Sequence, residues 1–102
     1  MDVYDIKIDS DAFIDIKEAA DWYNYKSDGL GGRFKRNVKR QINNLKSNPE
    51  IYNIRYKNVR CVLVKKFPFL IHFIVDKKNW MVEVLAVIHT SRNPKIWEQK
   101  EK

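Results

Sequence analysis

The sequence predicts an α+β fold, a mostly antiparallel sheet with a helical hairpin packed on one face. Three observations predict it. After an opening strand, apolar residues recur at helical spacing as far as Pro49, and beyond it they follow a period of two. The segment DGLGG, residues 28–32, divides the helical half into two helices. Two short gaps, Phe67-Pro68 and Lys77–Trp80, then separate three segments rich in β-branched and aromatic residues. The predicted order is βααβββ, one domain over residues 1–102, with no internal repeat or linker.

Residues 3–9 place Tyr4, Ile6 and Ile8 on one face, the alternation of a half-buried strand. Ser10 and Asp11 supply side-chain oxygens that can accept the free N–H groups of a first helical turn. Ala12/Phe13, Ile16, Ala19/Ala20 and Tyr23 then carry a helix to about Ser27, where three glycines within residues 28–32 serve a tight reversal. A second helix is expected from about Gly32 to Ser47, with Phe34, Val38, Ile42 and Leu45 as its apolar stripe. Asn48-Pro49 stops it, because proline disfavours helical geometry in the residue before it. Val59–Lys66, Phe69–Asp76 and Met81–Ile88 read as a meander of three strands. The closing NPKIWEQ suits a short helix from Pro94, with Trp97 packing that segment onto the sheet.

At 102 residues, with 44% of them hydrophobic, the chain can build one packed core. Its single cysteine, Cys61, has no partner for an internal disulfide, and no Cys/His cluster has zinc spacing. No cofactor and no metal are expected. The first residues resemble no signal peptide, and no apolar run is long enough for a membrane helix, so a cytoplasmic protein without membrane association is expected. The net charge of +7 is unevenly placed. Residues 1–28 hold eight acidic and three basic side chains, a balance of −5, and the rest hold five acidic and seventeen basic, a balance of +12. The basic part suits an anionic partner: nucleic acid, a nucleoprotein or an acidic protein segment. The second helix contributes Arg33, Lys35, Arg36, Lys39, Arg40 and Lys46 with no acid among them.

No phosphate-binding glycine loop, Gly-x-Ser-x-Gly elbow or HExxH motif occurs. His72 lies among Leu70, Ile71, Phe73 and Ile74, the setting of a packed structural histidine. His89 ends the last strand, followed by Thr90, Ser91 and Arg92. There its imidazole serves either as a general acid or base or as a cap on the loop backbone. Arg60, near the start of an apolar strand, either holds a phosphate or carboxylate or clamps the fold by pairing. Arg60, His89 and Arg92 are the target-binding candidates, and His89 and Arg92 also the catalytic ones.

The segments ADWY, GLGGRF, NP, VRCVLVKKFPFLIHFIVD and VLAVIHTSRNPKIW together resemble, in order and spacing, the RelE/ParE toxins of bacterial type II toxin–antitoxin modules. Arg60 with KFPF, and the set His89, Arg92, Pro94, Trp97, carry most of that resemblance. It implies the βααβββ fold, a role in plasmid stabilisation and a cognate antitoxin that wraps a largely disordered segment around the toxin as a hetero-oligomer. It also implies one of two targets: DNA gyrase, poisoned by binding, or ribosome-bound mRNA, cut by an endoribonuclease (mRNA interferase). At the positions where RelE-like enzymes carry strand lysines and an arginine, this chain aligns Cys61, Leu63 and Leu70, and Ile96 falls near their tyrosine. These departures favour a ParE-like toxin acting by binding, with the ribosome-dependent endoribonuclease as the alternative.

Overall fold

The computed structural model describes residues 3–92. The helix expected from Pro94, with Trp97 and Ile96, falls outside the described residues. Strand β1 (Asp5–Ile8) leads into helix α1 (Ser10–Lys26), and helix α2 (Leu30–Asn44) returns across it. A 3-10 turn, Pro49–Ile51, precedes β2 (Ile54–Tyr56), β3 (Val59–Leu63), β4 (Phe69–Asp76) and β5 (Met81–His89). The sheet has the order β1-β5-β4-β3-β2. All its neighbours are antiparallel except β1 and β5, where Asp5 lies opposite Met81 and Ile8 opposite Val84. The short β2 extends the expected meander, and the 3-10 turn that follows Asn48 delivers it to the edge.

Both helices cover one face of the sheet. Phe34, Val38, Ile42 and Leu45 of α2 and its C-cap are buried, as their spacing predicts, against Val62, Ile71, Phe73, Val82, Val84 and Val87. Tyr23, Phe34 and Phe67 stack edge to face or tilted at ring separations of 5.0 to 5.4 Å, geometry favourable to aromatic quadrupoles. On α1 only Ala12, Ala20 and Tyr23 are buried. Phe13, expected in the apolar stripe, points outward instead, because its neighbour Ala12 occupies the core position.

Three helix-boundary expectations change, one being that α2 ends at Asn44 with Leu45 as its C-cap, short of Ser47. The N-cap of α1 is Asp9 rather than Ser10 or Asp11, and it caps through its backbone carbonyl, which accepts from Ala12 and Phe13 N–H. Of the three glycines, only Gly29 serves the reversal, with φ at +85°, where an L-residue is strained. Gly31 and Gly32 lie within α2. Gly31 permits contact between the helices: a Cβ there would strike the carbonyl oxygen of Ala20 and the amide of Asn24. Asn24 Oδ1 instead accepts the Gly31 N–H at 2.8 Å.

β3 stops at Leu63, three residues before the expected end, because residues 64–68 form the hairpin turn. There Val64 N–H donates to Phe69 O at 2.8 Å and Lys66 takes φ of +69°. β5 carries an irregularity: His72 pairs with Ala86 but Phe73 with Val84, leaving Leu85 as an extra residue. This bulge moves the core-facing parity from Val82 and Val84 to Val87. It sends Ala86 and Ile88 to the opposite face, where they cluster with Cys61 and Leu70.

Candidate functional site

Three surfaces hold the residues with functional potential. The first is a cleft of about 450 Å³ between α1 and the ends of β4 and β5. Asp15, Glu18 and Trp22 form one wall, and Pro68, Phe69, His89 and Arg92 the other. The sequence candidates His89 and Arg92 therefore meet in one place, together with two carboxylates and an indole that sequence reasoning did not single out. Asp15 Oδ2 accepts the Val87 N–H at 3.0 Å, which fixes α1 on β5 beside the bulge. His89 Nδ1 accepts the Ser91 N–H at 3.1 Å and lies 2.8 Å from Ser91 Oγ. A backbone N–H can only donate, so the neutral imidazole carries its proton on Nε2. His89 thus closes the turn while its ring meets Phe69 edge-on at 5.2 Å.

Arg60 lies elsewhere. It is opposite Phe73 on β4, whereas His89 is opposite Phe69, four residues or roughly 13 Å along the strand. Its Nη1 donates to Tyr52 O at 2.6 Å and Glu50 O at 3.1 Å, so it holds the carbonyls of the 3-10 turn instead of an acidic side chain. Glu50 in turn accepts from Tyr4 Oη at 3.0 Å and lies 3.8 Å from Lys77 Nζ. Burial and the Glu50 hydrogen bond raise the Tyr4 phenol above its usual range.

The second surface is a groove of about 940 Å³ between β1, α1 and α2. Its floor is Ile6, Ile8, Ile16, Val38 and Ile42, and Lys17, Lys35, Lys39 and Lys46 stand around it. Only Lys17 of these has an ion-pair partner among the described residues, Asp21 at 2.8 Å. Apolar floor and cationic rim together suit an amphipathic segment with acidic side chains. α1 also exposes Phe13 (58%) at the groove, Trp22 (55%) at the cleft, and Ile14 (53%) and Tyr25 (85%), more large apolar surface than one helix of a lone domain normally shows. The signal for it was present in the sequence: α1 carries apolar residues all round, too many for a single stripe.

The third surface is the sheet face turned away from the helices. His72 is fully buried there, with Nδ1 3.0 Å from Tyr56 Oη and 3.4 Å from Cys61 Sγ, the packed role its sequence setting suggests. Burial pushes the Cys61 thiol up to about 11, so it stays protonated and un-nucleophilic near neutral pH. Cys61 clusters with Leu70, Ala86 and Ile88, none of which can move a proton or hold a phosphate, while Tyr56 and His72 lie beside it and Arg55 is near enough to oppose the upward shift of its thiol. Among the described residues no three His, Cys, Asp or Glu side chains converge to hold a metal, and no helix is long and apolar enough to cross a membrane.

A helical hairpin on one face of a five-stranded, mostly antiparallel sheet is the architecture of RelE/ParE-type toxins, and the comparisons agree. The chain has the fold of the chromosomal ParDE system from P. aeruginosa, at 16% identity and a TM-score of 0.75 over 87% of this chain and 98% of that one. It also has the fold of a mutant of the E. coli toxin RelE in the free state, at 12% identity and a TM-score of 0.71 over 99% and 96%. No curated protein matches its sequence. Residues 6–94 match the family described as ParE toxin of type II toxin–antitoxin system, parDE, and the chain belongs to that family.

Proposed function

We propose that this toxin acts by binding, with DNA gyrase as its cytoplasmic target, and that a cognate antitoxin neutralises it in a hetero-oligomer of the kind that stabilises plasmids. The observation carrying this reading is the pairing of a lysine-rimmed apolar groove with the exposed apolar side chains of α1. Such surface is costly to leave in water and is recovered by covering it with protein. The antitoxin segment fits the groove: apolar side chains on Ile8, Ile16 and Ile42, acidic ones on Lys35, Lys39 and Lys46. A segment ordered only on binding can cover both surfaces at once.

The side chains at three strand positions weigh against the alternative, a ribosome-dependent endoribonuclease. RNA cleavage needs the 2′-oxygen activated, the phosphate charge stabilised and the 5′-oxygen protonated. The strand positions corresponding to a RelE-like set hold Cys61, Leu63 and Leu70. A paired assay tests the reading: gyrase supercoiling beside ribosome-dependent mRNA cleavage, each with and without the neighbouring open reading frame's product. Loss of supercoiling, intact mRNA and relief by the co-expressed partner are expected. Cleavage at ribosomes with unaffected gyrase would establish the alternative.

A further inference from the structure

The six cations of the α2 region fall into two groups with different surroundings. Lys35, Lys39 and Lys46 border the apolar groove. Arg33, Arg36 and Arg40 do not. At about 100° per residue they fall within an arc of about 60°, away from the buried stripe of Phe34, Val38, Ile42 and Leu45. All three are exposed, and among the described residues none has an ion-pair partner. A turn from the sheet adds to them. Asn37, at the margin of the arginine arc, donates Nδ2 to Lys65 O at 3.0 Å, which fastens the exposed Lys65-Lys66 turn beside α2. No acidic residue occurs between Gly29 and Pro49 to neutralise the stripe.

We propose that Arg33, Arg36 and Arg40, with Lys65 and Lys66, form a docking surface for the phosphate backbone of duplex DNA. Three contrasts select that partner. An amphipathic protein segment needs apolar contacts among the charges, and the arginine arc, unlike the groove, contains none. Single-stranded nucleic acid is held by aromatic side chains set among cations, and the only aromatic residue of α2, Phe34, is buried. Duplex RNA is recognised largely through 2′-hydroxyls across its minor groove, whereas the arc carries guanidinium groups alone, which suit the phosphate row of one B-form strand. The arginines step about 4.5 and 6 Å along the helix axis, a reach of two or three phosphates of one strand. Such contacts give affinity and orientation without sequence preference. The proposal goes beyond the toxin reading and does not depend on it, since neither gyrase nor antitoxin takes part.

Fluorescence anisotropy with a labelled random-sequence DNA duplex, titrated between about 50 and 200 mM salt, tests it. Neutralising one phosphate-binding cation should flatten the log–log salt slope by about 0.9. Arg36→Gln/Arg40→Gln should flatten it by about 2 and weaken low-salt binding tenfold or more, with an unchanged circular-dichroism melt. Arg36→Lys/Arg40→Lys should keep the slope, and Lys77→Gln, which removes a cation on the β4–β5 turn, should leave binding alone. The proposal falls if the Gln variants keep the wild-type slope, or if Lys77→Gln lowers binding as much, which would mean diffuse charge attraction. It falls equally if an RNA duplex of the same sequence binds as tightly as DNA, or if the Gln variants are impaired only in antitoxin binding.

Discussion

The guanidinium of Arg60 donates to the carbonyl of Tyr52 at 2.6 Å, across the point where the chain leaves the helices and enters the sheet. A second bond from the same nitrogen reaches Glu50 O, so one side chain on β3 holds the 3-10 turn that places β2. Arg60→Ala strands the partly buried Tyr52 carbonyl and leaves the exposed Glu50 carbonyl to water, a loss of about 1–3 kcal/mol. For a domain of this size that lowers the melting temperature by roughly 10 °C. Circular-dichroism melts check it, beside a growth assay. An unchanged melt without toxicity would move Arg60 from clamp to target-binding residue.

Gly31 and Gly32 make opposite predictions one residue apart. Gly31→Ala puts a methyl against Ala20 O and Asn24, and overpacking of that kind costs about 1–3 kcal/mol or more. At Gly32 only the flexible Arg36 Nη1 is near, at 3.5 Å. Gly32→Ala should therefore stabilise by up to about 1 kcal/mol through helix propensity. Urea denaturation of both variants reads the difference in sign.

Arg92 faces the cleft from an exposed turn, where substitutions usually stay within about 0.5 kcal/mol, and His89 from the half-buried end of β5, outside the core clusters. His89→Ala and Arg92→Ala should hence melt within a few degrees of the parent while weakening toxicity. If both melt early, the His89–Ser91 turn is a structural clasp and the cleft is not the working surface. Trp22→Ala, on the opposite wall, should follow the same pattern, since its indole is already more than half exposed.

What was legible in the sequence differs between the two helices for a physical reason. The stripe of α2 is read correctly because its other faces are polar, so Phe34, Val38, Ile42 and Leu45 have one way to be buried. α1 has no such contrast, and Phe13 cannot be told from Ala12 until packing favours the smaller residue. Gly31 is recognisable as a glycine in a turn-like string, but its role depends on how closely α1 approaches. The β5 bulge has no local signature: all residues from Val84 to Ile88 are apolar, so the parity change at Leu85 is hidden. That His89 and Arg92 meet in one cleft was legible from their position at a strand end. Asp15, Glu18 and the lysine-rimmed groove arise only from juxtaposed elements, which no sequence spacing encodes.

Glu83 is the one acidic residue of β5. Its carboxyl shares a hydrogen bond with that of Asp9, the N-cap of α1, and this contact, with partial burial, raises its pKa above the ordinary carboxylate value. Lys7, its register partner on β1, acts in the opposite direction and more weakly. In the folded chain Glu83 therefore binds its proton more tightly than in the unfolded chain. The contact is stabilising in acid, below the unfolded value, and that contribution is lost as pH rises through the folded one. Near neutral pH two carboxylates are left facing each other. Glu83→Gln keeps the shape and a hydrogen-bond donor for Asp9 but removes the repulsion. The variant should melt a little higher than the parent at pH 7, with the difference shrinking towards pH 4 as the parent's carboxyl takes up its proton. Thermal melts of both proteins across that range check it. A gain that persists undiminished in acid would show that charge is not its source, and a loss at pH 7 would show that the Lys7 attraction outweighs the Asp9 repulsion.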